Sequence, residues 1–313
     1  MPPAEGEWTL SYGGNGIMPG ATLTFGSLRT GYYLLDEVDI AYGDIDSGDV
    51  PMPRQDGVRF GLDYRPGATL TFEIGVDAVD RASTRLGRHG AVLDRVSLLA
   101  QAWDAEAVRS RFATPAVLST TQGGRSRRFF GRPRKFAPAA SRLTRQGYTP
   151  VVASFVSVDG IAYDDVEQVA RVDLNPAPHR GLAGPLTTPL TMTGTASSRT
   201  PGEIVLGGNR PTWPVITIRG PISQPVVEVI GRWKLGLNLA LGAGEYVVID
   251  PRPWARTALR NGGASVAGAI TRGSPLMPQM RLPPGRLDIV LRGADATGTA
   301  HMTVAWRNAF SYM

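Results

Sequence analysis

The chain has 313 residues, of which 42% are hydrophobic and 19% charged, with 38 glycines and 25 prolines, a composition that fits neither a disordered polymer nor a membrane bundle. It contains no cysteine, which excludes disulfides, thiolate metal sites and a cysteine nucleophile. The net charge of +6 is unevenly placed, because residues 1–110 carry 9 basic and 16 acidic side chains whereas residues 111–145 carry 9 basic and none acidic.

Such a length accommodates two domains, each with its own core. No apolar run approaches the ~18 residues of a spanning helix. The N-terminus, Met1-Pro-Pro-Ala-Glu-Gly-Glu, lacks the basic and apolar regions of a Sec signal, so none is expected. Short strands are predicted at Trp8–Tyr12, Ala21–Phe25 and Tyr32–Ile40, followed by an acidic loop from Ile40 to Pro53. Two turn signals, Asp56-Gly57 and Pro66-Gly67, bracket a strand from Val58 to Tyr64. Beyond them Leu70, Phe72, Ile74 and Val76 alternate with Thr69, Thr71, Glu73 and Gly75, which places every apolar side chain on one sheet face. This reads as a structural hairpin.

One helix is predicted from about Arg88 to Arg109, where Val92, Val96, Leu99, Trp103 and Ala107 form an apolar stripe of helical period. Thr114-Pro115 ends it. After a strand at Ala116–Thr121 comes the basic segment Gln122 to Pro138, expected as an extended arm or hairpin, then strands at Val151–Val158 and Val166–Leu174. Residues 175–202, rich in Pro, Gly, Ser and Thr, read as the inter-domain connection. The domains expected are therefore 1–200 and 203–313. Eight strand candidates punctuated by Gly and Pro turns, Glu203–Leu206, Val215–Arg219, Val226–Ile230, Leu235–Leu241, Tyr246–Ile249, Ser265–Ile270, Leu287–Leu291 and Thr299–Trp306, make the latter a two-sheet sandwich of the jelly-roll class.

Few residues suggest chemistry. Asp44-Ile-Asp-Ser-Gly-Asp49 has acidic spacing, but Gly48, Asp49 and Gln55 stand where a calcium loop needs a ligand, a glycine and a bidentate glutamate. Gly242-Ala-Gly-Glu lacks the spacing and the Lys-Ser/Thr of a phosphate loop. Adjacent Asp164 and Asp165 point apart in a strand or turn and cannot share a substrate, so the pair reads as a solvated turn. Trp213, Trp233, Trp254 and Trp306 are read as packing residues, with a sugar-stacking platform as the alternative. In the basic segment Arg125, Arg127, Arg128, Arg132, Arg134 and Lys135 interleave with Phe129, Phe130 and Phe136. That pattern suits phosphate contacts with base stacking. It also suits an arm reaching the acidic surface of a neighbouring subunit, the reading preferred on charge complementarity. No catalytic, metal or cofactor-binding residue is expected.

The order of several motifs carries a resemblance. Pro53-Arg-Gln-Asp-Gly, Gly61-Leu-Asp, the alternating strand ending at Val76 and the helix after it resemble the N-terminal domain of distal tail (Dit) proteins of long-tailed, siphovirus-type phages. Gly181-Leu-Ala-Gly-Pro-Leu, Gly208-Asn209 and Trp213-Pro-Val-Ile-Thr-Ile-Arg-Gly-Pro-Ile-Ser-Gln-Pro225 resemble the way that family enters its second domain. Gly244-Glu-Tyr-Val-Val-Ile-Asp-Pro-Arg-Pro253, Leu282-Pro-Pro-Gly285 and His301-Met-Thr-Val-Ala-Trp-Arg-Asn-Ala-Phe310 resemble its later strands. The resemblance implies a mainly β chain, with a β-sandwich-like ring domain bearing one α-helix and a galectin-like C-terminal β-sandwich. It implies a non-enzymatic virion protein without cofactors, a homo-hexamer at the distal end of the tail around the passing DNA. Its implied partners are the tail tube protein, the tape measure protein, the tail-tip hub and receptor-binding proteins. A carbohydrate-binding module reading host glycans is the rival function.

Overall fold

The computed structural model describes residues 2–174 and 202–313. The Gly181-Leu-Ala-Gly-Pro-Leu motif and most of the expected connection lie outside them. The chain divides into two compact units, Met1–Asp165 with Ala309–Met313, and Val166–Asn308. The division thus falls at Asp165, ahead of the expected boundary at residues 200–203, and the last five residues return to the first unit.

The first unit is built from β1 (Trp8–Tyr12), β2 (Ala21–Phe25), β3 (Tyr32–Leu34), β4 (Asp39–Tyr42), the four two-residue strands β5 (Asp46–Ser47), β6 (Val50–Pro51), β7 (Val58–Arg59) and β8 (Asp63–Tyr64), then β9 (Ala68–Asp77). After the helices α1 (Arg85–Asp104) and α2 (Glu106–Arg109) come β10 (Ala116–Gln122), β11 (Arg125–Pro138), β12 (Tyr148–Ser157) and β13 (Ala162–Asp164). The main sheet runs in the order β2-β1-β10-β11-β12-β9-β3, with β4 on β9 and β13 on β11. Its two ends meet, because Gly26 N–H donates to the Tyr32 carbonyl at 2.7 Å and Gly26 bridges Tyr33, so the sheet rolls onto itself.

The alternation in β9 sets this roll. Leu70, Phe72, Ile74 and Val76 are all fully buried. The strand pairs with β12 from Thr69↔Val156 to Asp77↔Tyr148, and its other edge takes β4 at 68–71 and β3 at 74–76. A one-residue slip would turn that apolar set to water. The Val58–Tyr64 segment is not its hairpin partner: the Asp56-Gly57 turn folds it back on Asp46–Pro51 instead.

Helix α1 starts on Thr84, whose hydroxyl accepts from the Gly87 amide at 3.1 Å. It buries Val92, Leu99 and Trp103 in the same core as Trp8, Phe25, Phe72 and Phe129. The expected single helix to Arg109 is broken at Ala105, which sits at φ 44°, and resumes as α2. Tyr12 hydroxyl donates to the Ala102 carbonyl at 3.0 Å and satisfies one acceptor at the freed helix end.

The second unit is an antiparallel two-sheet sandwich. One sheet orders β14 (Gln168–Asp173), β24 (His301–Trp306), β16 (Val215–Arg219), β20 (Tyr246–Asp250), β21 (Thr257–Arg260) and β22 (Ala264–Ser265). The other orders β15 (Gly202–Leu206), β23 (Gly285–Ala294), β17 (Ile222–Val229) and β18 (Trp233–Gly236), with β19 (Ala240–Leu241) on β17. Ile216, Ile218, Val247, Ile249, Met302 and Val304 face Val227, Val229, Ile289 and Leu291 across the core, as period-two alternation requires. Strand β14 belongs here because it pairs with β24 over six positions. The expected strand at Ser265–Ile270 is instead β22 followed by the 3-10 turn Ala267–Ala269, and β21 was not anticipated.

Glu7 is a buried carboxylate, 2% exposed, just ahead of β1. It accepts from Ser27 hydroxyl at 2.6 Å and from Arg29 Nη2 at 2.8 Å, and these bonds hold its pKa below the ordinary glutamate value. A carboxylate with a depressed folded-state pKa stabilises above its unfolded value, and that stabilisation is lost as pH falls through the folded one. Glu7→Gln is therefore expected to cost about 1–2 kcal/mol at neutral pH. Thermal melts of the two proteins, well separated at neutral pH, should converge as the pH is taken below the ordinary glutamate range.

Candidate assembly surface

The basic segment does not form an arm. It is β11, a long internal strand held by β10 along residues 125–131 and by β12 along 131–138, with a register shift between Pro133 and Phe136. Phe129 and Phe130 are buried. Arg127 is 9% exposed, bonds the Asp164 carboxylate, and lays its guanidinium 3.7 Å from the centre of the Phe310 ring. Arg128 donates from Nη2 to Asp165 at 2.7 Å and from Nε at 3.1 Å. Arg132 donates from Nε to the Thr114 carbonyl at 2.9 Å and from Nη2 to the Arg111 carbonyl, clamping the loop after α2. Burial first, then the nearby Arg134 charge, holds Arg132 below the usual guanidinium value. Only Arg125, Arg134 and Lys135 of the eight residues singled out are exposed. The acidic dipeptide that sequence reading treats as a solvated turn is the partner of Arg127 and Arg128, since β13 pairs with β11 at Arg127↔Asp164 and Arg128↔Tyr163.

The segment that sequence reading treats as half loop, half structural hairpin is instead the most exposed part of the first unit. Strands β5 to β8 form a ribbon closed at its tip by Met52 N–H to the Gly57 carbonyl. Every residue from Ala41 to Pro66 except Asp49 is exposed. Halfway along, Gly48 and Gly61 lie face to face, and a Cβ on Gly61 would strike the Gly48 backbone, so the strands pass this closely only with glycine at 61. Ile45, Val50, Val58, Phe60, Leu62 and Tyr64 project from this ribbon at 46–86% exposure. The signal was present in the sequence: apolar residues flank the Asp56-Gly57 turn on both sides, and one glycine stands on each side of it, Gly48 before and Gly61 after.

The other candidates are dispersed. Asp46 pairs in register with Tyr64 and the Asp49 carboxylate accepts from Gly61 N–H at 2.9 Å, so the acidic run is spread along the ribbon. Among the described residues no group of three metal-ligating side chains is brought together, and no helix is long and apolar enough to cross a membrane. Trp306 packs in the sandwich core, Trp213 lies against Arg281 and Trp254 against Arg252, while Trp233 Nε1 donates to the Arg281 carbonyl at 3.0 Å.

With its charge paired inside the unit, Arg127 is a folding residue. Arg127→Ala is expected to cost about 3 kcal/mol in urea denaturation, because the Asp164 carboxylate loses this ion pair and Phe310 its cover. Arg134→Ala should change stability by less than about 0.5 kcal/mol, as an exposed substitution.

No family model matches the chain, and no curated protein matches it by sequence. Its fold is matched in solved structures. The crystal structure of the Dit protein of phage SPP1, described as a paradigm of the hub adsorption apparatus in phages infecting Gram-positive hosts, aligns with a TM-score of 0.56. That alignment has 13% identity and covers 97% of this chain and 99% of the other. A chain of the phage P2 baseplate in its activated conformation with calcium aligns with a TM-score of 0.51 and 7% identity, covering 98% of this chain and 99% of that one. At such identities the likeness is one of fold, and it runs through both units rather than through one shared module. The chain is built, over nearly its whole length, on the fold of a phage Dit hub protein.

Proposed function

We propose that the protein is a structural component of a phage tail, a hexameric hub at the distal end that joins the tail tube to the tip or baseplate and encloses the path of the DNA. The full-length likeness to SPP1 Dit and to a baseplate chain supports the tail role. The observation that carries the ring is the ribbon 46–64. A two-stranded ribbon is marginal in water by itself, and this one leaves Phe60 86% and Leu62 74% exposed. Contiguous apolar surface of that kind marks a protein interface. In a ring the ribbon of one copy lies against the next, and a head-to-tail contact repeated by about 60° closes with no free end. An obligate contact of this kind buries on the order of 2,000 Å².

The hub reading needs no catalytic residue. Its partners are the tail tube protein, the tape measure protein, the tail-tip hub and receptor-binding proteins, and DNA passes without sequence recognition. Exposed Arg125, Arg134 and Lys135 are the members of the basic segment left to meet a neighbour or the DNA backbone. Charge complementarity there adds orientation, while the apolar ribbon supplies the affinity.

Replacing residues 47–62 by a two-residue Asn-Gly turn tests the assignment. The truncated protein should melt within a few degrees of the parent, because the segment contributes nothing to the buried core. Light scattering and negative-stain imaging should show six-fold annuli for the parent and monomers for the truncation. Annuli from both proteins would remove the ribbon from the interface.

A further inference from the structure

The second unit carries a groove of 740 Å³ between strands β17 and β18 and the segment 268–273. The outer wall is fastened to the strand edge by a set of short bonds. Asn238 N–H donates to the Ala269 carbonyl at 2.7 Å, Thr271 N–H to the Gly236 carbonyl at 3.0 Å, and Gly236 N–H to Ser274 Oγ at 3.0 Å. Thr271 and Ser274 hydroxyls join at 2.9 Å. The wall therefore has a defined position relative to the floor.

Gln224 enters the groove from a strained position. Its φ is 49°, a left-handed value that a side-chain-bearing residue seldom adopts, and it sits in the register shift between Ser223 and Val226. Its N–H is held by the Leu239 carbonyl at 2.8 Å. Bulges of this sort re-aim a side chain, and strain of this sort collects at binding sites.

The polar lining is Gln224, Lys234, Asn238, Thr271 and Arg272, and no carboxylate lines the groove. Glu228 lies opposite Lys234 in the strand pairing, but its carboxylate accepts from Arg292 Nε at 3.0 Å. Around Gly268 and Gly273 an added Cβ would meet nothing within 4 Å, so the rim there is open. Two cations in an acid-free groove select a negatively charged ligand. Two amides and a hydroxyl, each able to donate and accept, suit the hydroxyls beside that charge.

We propose that this groove binds an anionic group carried on a hydroxyl-rich chain, either the carboxylate of an acidic saccharide or the phosphate of a polyol phosphate. Lys234 and Arg272 hold the charge, and Gln224 and Asn238 read the neighbouring hydroxyls. The assignment stands on the groove and is independent of ring formation.

Isothermal titration of the full-length protein with tetragalacturonate, a glycerol phosphate oligomer and neutral maltotetraose tests it. At least one anionic probe should bind saturably and more weakly as salt is added. Which one binds identifies the source of the charge. The double variant K234Q/R272Q, changed at two exposed positions, should keep the parental melting temperature and bind about tenfold or more weakly. Gln224→Gly tolerates the left-handed backbone and removes only the side chain, so it should bind less tightly without unfolding. Three results would overturn the proposal: no saturable binding of either anion up to about 10 mM, equal binding of the neutral tetrasaccharide, or undiminished affinity in the double variant. Oligomeric state measured on the same samples separates this outcome from that of the hub reading.

Discussion

Phe72 is the meeting point of the first unit. Its ring lies 5.1 Å from that of Trp8, 5.2 Å from Phe25 and 6.0 Å from Trp103, each edge to face. Those four rings come from β9, β1, β2 and α1, so one aromatic cluster ties the two ends of the rolled sheet to the helix that fills it. Edge-to-face geometry adds about 0.5–1.5 kcal/mol per pair beyond the area buried. The indole Nε1 of Trp103 also donates to the Ser154 carbonyl at 3.0 Å, which fixes the helix against β12. Everything the unit presents outward, the ribbon included, is mounted on this cluster.

Charge is handled by local pairing rather than by one broad field. The basic excess of residues 111–145 looks in sequence like a surface waiting for an acidic partner, but Arg127 and Arg128 are neutralised within the same unit. Asp164 and Asp165 lie 37 residues from Arg127 and Arg128 in the chain and across one strand pair in space. Burying a guanidinium without such a partner is costly, so the acidic pair follows from the buried strand position. In the proposed hub, the apolar ribbon rather than these two arginines is the surface offered to a neighbouring subunit.

The chain's path also bears on how the first unit is completed. After leaving it at Asp165, the chain returns at Ala309, and β25 (Ala309–Phe310) adds to β13. Phe310 then lies under Arg127, and Tyr42 hydroxyl donates to the Ser311 carbonyl at 2.9 Å. Met313 packs against the same core. Ala309–Met313 is thus part of the fold of the first unit.

Local pattern determined most of the elements. Trp8–Tyr12, Ala21–Phe25 and Val215–Arg219 have the predicted bounds, and the alternation of β9 and the stripe of α1 place the predicted residues in the core. The mainly β class and the likeness to Dit proteins were both legible, since turn residues and period-two alternation act over a few neighbours. Tertiary structure alone decided what pairs with what. It turned Val58–Tyr64 back on Asp46–Pro51, moved β14 into the second unit, and made the basic segment an internal strand paired on both sides. The groove beside Gln224 was equally hidden, because its walls come from residues near 224, 236 and 271. Partners of a strand, an ion pair or a groove are chosen by contacts between distant residues, and a spacing rule that reaches four or five positions carries no information about them.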